Sequence, residues 1–147
     1  MQPVRKPFEA HLYNKFDNPA KQKLIEILLS EGHSLVKVKE NYYADVETDL
    51  DGIIYYSEAE VKTGWKGEWP ETWHEIRIPE RKSRLLAKYN GNINFYVFSN
   101  DLSQCWRIKG SQMTDVTLRE AKGRYIREGE LFFHIPYKEA ELLILGE

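Results

Sequence analysis

Cysteine is almost missing from this chain: Cys105 is the one thiol in 147 residues, which excludes an internal disulfide framework and any multi-cysteine zinc site, and fits a reducing compartment. Long apolar runs are missing as well. No stretch approaches the roughly 20 residues of a membrane-spanning helix, and the opening MQPVRKPFEA has basic residues with no apolar run behind them, so no secretory signal is expected. An excess of charge of one sign is also lacking, with 21 Lys plus Arg against 23 Asp plus Glu and a formal net charge of −2. The total therefore announces no strongly anionic partner, and any basic surface must be local. There is no glycine-rich phosphate loop, no Ser-His-Asp order, no His pair at metal spacing and no internal repeat. Together these absences point to a soluble intracellular protein, with a viral source equally allowed.

What is present is enough for a real core, since 41% of the residues are apolar and 13% aromatic, and one compact domain over residues 1–147 is expected. Pro3 and Pro7 mark residues 1–17 as an arm. Asn18 and Pro19 can open a helix through AKQKLIEILLSE that Gly32 closes, with apolar residues around enough of its circumference to be covered on more than one side. Strand signals follow in SLVKVKE, NYYADVET and IIYYSEAEVK, rich in Val, Ile and Tyr. A two-residue turn at Asp51-Gly52 would pair positions that sum to 103, which sets Asp45 opposite Glu58 and Tyr43 opposite Glu60. Pro79 can start a second helix, PERKSRLLAKY, ended by Asn90-Gly91. NINFYVFS, QCWRIKG and GELFFHIP read as later strands, and TDVTLREAKGRY and PYKEAELLIL as further helices. The order predicts an α/β arrangement, a mixed α+β sheet flanked by helices.

The third strand contains SEAEVK, and alternation puts Glu58, Glu60 and Lys62 on one face with Ser57, Ala59 and Val61 on the other. Like charges across an antiparallel pair are destabilising, and Asp45 approaches this face. Either the acids are simply solvated, as charged faces usually are, or a cation belongs among them. A divalent ion such as Mg²⁺ needs few carboxylates and keeps waters for a reaction, and Lys62 beside it could orient an attacking water or stabilise charge on a phosphate.

Asp45 followed, after a hairpin, by Glu60-Val61-Lys62 resembles the PD-(D/E)xK nuclease superfamily, with Ala44 where the family name has proline. The order helix, three-strand meander, helix, strand over residues 18–99 is similar to that family's restriction-endonuclease-like core, which leaves 100–147 as an extension of the sheet. The resemblance implies a Mg²⁺- or Mn²⁺-dependent endonuclease acting on DNA, with Asp45 and Glu60 as metal ligands, the Val61 carbonyl touching the metal and Lys62 as the catalytic lysine. It also implies an acid on the first helix, for which Glu26 is the interior candidate; Glu58 is the alternative third acid, and Asp51 the alternative to Asp45. Small members often work as homodimers, so a second copy is a further implied partner.

Arg77, Arg81, Arg84 and Lys88 recur at spacings of four, three and four, which would align them on one helical face. They read either as an ordinary solvated face or as a row for backbone phosphates, and the resemblance implies that Arg81 or Lys82 reaches the scissile phosphate. Residues 63–78 carry three of the four tryptophans; Trp65 could stack on bases, or the cluster could fold the loop onto the core. Two rivals to the nuclease remain: a nucleic-acid-binding module of this fold without activity, and an interaction domain that docks a protein through its Trp-rich loop.

Overall fold

The computed structural model describes residues 18–38, 44–123 and 126–145, so the expected arm (1–17) and Tyr43 lie outside the described residues. The first helix, α1 (Asn18–Ser30), begins at the Asn-Pro pair and ends at Gly32, whose φ of 95° suits a glycine. It buries one face, made by Ala20, Lys21, Leu24, Ile27 and Leu28, while Glu26 and Leu29 stay exposed. The wide apolar circumference is thus not covered on several sides. None of the helices among the described residues is long and apolar enough to cross a membrane.

Strands β1 (Ser34–Val38), β2 (Val46–Leu50) and β3 (Ile53–Lys62) form an antiparallel meander. Asp51 and Gly52 make the turn between β2 and β3 with φ of 54° and 86°, the left-handed pair of a type I′ hairpin. The register runs from Val46 opposite Ser57 to Leu50 opposite Ile53, as the turn chemistry requires. β3 then pairs in parallel with β5 (Asn94–Ser99), and β6 (Gln104–Lys109) and β9 (Glu141–Ile144) continue antiparallel beyond it, giving a six-stranded mixed sheet in the order β1-β2-β3-β5-β6-β9. One of its faces packs on α1 through Val46, Ala59, Tyr96, Phe98 and Cys105. Arg107 on β6 ties the end of that helix down, reaching Glu31 at 2.7 Å and Glu141 at 3.0 Å.

The opposite face is covered by a smaller sheet. β4 (Glu75–Pro79), β8 (Leu131–Pro136) and β7 (Leu118–Glu120) pair in the order β4-β8-β7, and Ile76, Ile78, Phe133 and Ile135 meet Phe95, Val97, Trp106 and Ile108 in a dry cluster. A single 3₁₀ turn (Glu80–Lys82) and the short helix α2 (Ser83–Lys88) follow β4. Several expectations fail here. Arg77 stands on β4 rather than on a helix, so the basic row is broken: Arg81 and Lys82 belong to the turn, and Arg84 and Lys88 to α2. TDVTLREAKGRY gives a 3₁₀ turn and β7, and PYKEAELLIL a 3₁₀ turn and β9, because cross-strand partners at β8 and β6 outweigh their helical composition.

Trp65 is fully buried, with its ring Nε1 donating to the Gly67 carbonyl at 2.9 Å, and it meets the edge of Trp69, which in turn meets Trp73 and Trp106. A ring without accessible surface stacks on no base, so Trp65 is a core residue and not a DNA contact; the loop folds onto the sheet. Trp65→Ala is expected to lower the unfolding free energy by about 3–5 kcal/mol in urea titrations, and a loss below about 1 kcal/mol would contradict its place in the core.

Candidate functional site

The β2–β3 ladder stops at Val46 and Ser57, and side chains take over at the next position. The Asp45 backbone N–H donates to Glu58 Oε1 at 3.0 Å, and the Ala59 N–H donates to Asp45 Oδ2 at 2.8 Å. This exchange holds Asp45 beside Glu58 where the two strands part. β3 runs on past this point along β5, so Glu60 and Lys62 project from a strand free of β2.

Glu58, Glu60 and Lys62 share the face of Phe95 and Val97, under the turn that follows β4. From that turn Lys82 descends into the cluster. Its side chain is only 6% exposed, and its ammonium lies 2.5 Å from Glu58 Oε2 and 3.1 Å from Glu60 Oε2, while Arg81 donates to Glu60 Oε1 at 3.1 Å. From the other face Lys21 of α1 comes within 3.6 Å of Asp45 Oδ1. The acids are therefore not left to solvent, and the cations that meet them are lysine and arginine side chains.

Titration follows from these contacts. Burial, reinforced by Glu58, pushes the Asp45 carboxyl up to about 7, although Lys82, the Ala59 N–H and Lys21 oppose the rise. Burial would also raise Glu60, but Lys82 and Arg81 outweigh it and hold that carboxyl below its ordinary range. For Lys82 the carboxylates win over burial, so it stays protonated well beyond neutral pH. Lys62 goes the other way: burial, aided by the charge of Arg77 and only partly opposed by Glu60, lowers its pKa, and its ammonium rests 5.3 Å over the Trp73 ring.

The site brings together Asp45, Glu58, Glu60, Lys62, Arg81 and Lys82, and leaves others out. Glu26, expected to face the site, turns away from it: its side chain is 67% exposed and pairs along the helix with Lys23 at 3.4 Å, and the residue that α1 brings to Asp45 is Lys21. Asp51 is spent on the hairpin turn. The Val61 side chain packs into the α1 cluster, leaving only its backbone between Glu60 and Lys62. Arg77 lies near enough to Lys62 to depress it, while Arg84 and Lys88 are on the exposed side of α2. Lys21 is the site residue missed from sequence; a lysine inside the buried stripe of α1 was the available signal.

Among the described residues no three His, Cys, Asp or Glu side chains form a group that could hold a metal ion. Asp45 and Glu60 do supply hard oxygen donors of the kind Mg²⁺ takes, and one or two carboxylates completed by substrate oxygens suffice for that ion. The donor chemistry fits, with Lys82 and Arg81 already on Glu60.

No family profile matches the sequence, and no curated protein matches it. Among solved structures the chain is similar to Hjc, a Holliday junction resolvase from the archaeal hyperthermophile Archaeoglobus fulgidus, with a TM-score of 0.53 and 10% identity over 84% of this chain and 88% of that one. At that identity the likeness is one of fold. The fold is restriction-endonuclease-like.

The raised Asp45 pKa has a definite sign in stability. A carboxyl that binds its proton more tightly when folded favours the fold below its unfolded value near 3.8, and this contribution is lost as pH rises through about 7. Asp45→Asn keeps an acceptor for the Ala59 N–H and removes the charge. Its stability relative to wild type should therefore improve steadily between pH 4 and pH 8 in thermal melts; a difference independent of pH would refute the assignment.

Proposed function

We propose that this chain is a metal-dependent nuclease that hydrolyses phosphodiester bonds in DNA as an endonuclease. The observation that supports the reading is that Asp45 is held beside Glu58 where β2 and β3 part, with Glu60 and Lys62 following on the same face of β3, and that Lys62 is a lysine with a depressed pKa. Asp45 and Glu60, with the Val61 carbonyl between Glu60 and Lys62, would hold Mg²⁺ or Mn²⁺. When bound, that ion supplies Lewis-acid polarisation of a phosphoryl oxygen and a more acidic water.

The chain's own residues account for the rest. A buried lysine of lowered pKa gives up its proton readily, so Lys62 can hold the attacking water and accept its proton. Arg81 and Lys82 stand on the turn above the acids, where they can grip the phosphate flanking the scissile bond. Arg84 and Lys88, on the exposed side of the adjoining helix, extend that grip along the backbone, and Arg77 keeps Lys62 from holding its proton tightly. Because the neighbour in fold is a Holliday junction resolvase, four-way junctions are the first substrate to try, beside duplex and single strands. A homodimer would bring two such sites to a branched substrate.

One observation favours a second reading, a DNA-binding module without cleavage: Lys21 stands against Asp45, on the helix where the resemblance implies an acid. The two readings separate in one assay. Labelled DNA of each shape is incubated with Mg²⁺ or Mn²⁺, and cleavage should fall at least ~100-fold in Lys62→Ala, the loss typical of a removed proton-transfer group. DNA binding with no cleavage on any substrate or ion would sink the nuclease and leave the binding module.

A further inference from the structure

We propose that Lys82 is a built-in competitor of the metal: its ammonium takes the cation position on Glu58 and Glu60, and a phosphate of the DNA must draw it away before Glu60 can hold a divalent ion. The inference rests on the nuclease reading and adds the order in which its parts assemble.

The geometry supplies the argument. Lys82 Nζ is shared between one oxygen of Glu58 and one of Glu60, at 2.5 Å and 3.1 Å, and is nearly inaccessible. The other Glu60 oxygen receives Arg81 at 3.1 Å, so both oxygens of this acid are engaged by basic side chains. Glu58 is tied on both sides, since its second oxygen accepts from the Asp45 N–H. Glu58 is thus the anchor of the lysine, and Glu60 is the acid that would be traded. A divalent ion entering here must replace two cation contacts on Glu60, while the Asp45 side chain is only 20% exposed, with Lys21 near one oxygen and the Ala59 N–H on the other.

Both Lys82 and Arg81 stand on a single 3₁₀ turn between β4 and α2, and phosphate oxygens compete with carboxylates for such groups. DNA that recruits the turn would release Glu60, so metal and DNA should favour one another, by the same factor in each direction. Without DNA the closed arrangement taxes metal affinity by the fraction of molecules in which Glu60 is free.

The test is Mn²⁺ binding to the full chain in the absence of DNA, followed by the electron paramagnetic resonance signal of free Mn²⁺, for wild type, Lys82→Gln and Arg81→Gln. If the closed arrangement holds nine molecules in ten or more, Lys82→Gln binds Mn²⁺ at least ~10-fold tighter than wild type. Arg81→Gln, which frees one oxygen, shows a smaller gain. Thermal melts give a second readout. Removing Lys82 leaves the buried Glu58 without its cation and Glu60 with Arg81 alone, which destabilises the fold, and Mn²⁺ should restore Lys82→Gln by a larger Tm increment than it gives wild type. Equal or weaker Mn²⁺ binding in both variants, or no rescue of Lys82→Gln by Mn²⁺, overturns the proposal. Tighter binding in Lys82→Gln without any DNA cleavage by wild type would keep the competition and discard the nuclease, so the two failures are distinct.

Discussion

Two carboxylates set side by side under a hydrophobic sheet face require a cation, and the whole arrangement around β3 follows from how this chain provides one. Glu58 and Glu60 point into the layer between the two sheets, where an uncompensated charge is costly. The lysine that answers them arrives from the turn after β4, a segment held in place because Ile76 and Ile78 are buried and because β4 pairs with β8. Charge compensation at the site is therefore a tertiary matter. The meander supplies the acids, and a different sheet supplies the base.

This division explains what could be read in the sequence. Asp51-Gly52 dictates a two-residue turn, and the turn alone fixes the register that sets Asp45 next to Glu58. Asn18-Pro19 and Gly32 bound α1, and alternation assigns Glu58, Glu60 and Lys62 to one face. All of these are local rules, acting within a turn or along one strand.

What escaped the reading depends on segments far apart in the chain. Arg77 matched a helical period, yet β8 claims it as a strand partner for His134, far along the chain. Trp65 sits in a loop rich in glycine and proline, which suggests exposure, but Trp69 and Trp106 close over it. Lys21 lies in the buried stripe of α1, but that it faces Asp45 is set by how the helix packs on the sheet and not by anything local. Composition favoured helices in the last third, and the free edges of β6 and β8 converted them to strands.

The pairing of β4 with β8 carries a consequence for how the chain can be divided. The region 18–99 spans the whole motif, so it looks like a self-sufficient catalytic unit with an appendage. It is not built that way. Among the described residues β8 is the one strand that pairs with β4, and Phe133 and Ile135 join Phe95 and Val97 in the same buried cluster. A fragment cut after Ser99 would leave β4 an orphan ribbon and the turn bearing Arg81 and Lys82 without a foundation. The late residues are thus the scaffold on which the early ones are assembled, and shuffling this motif into another protein would require carrying both ends of the chain along.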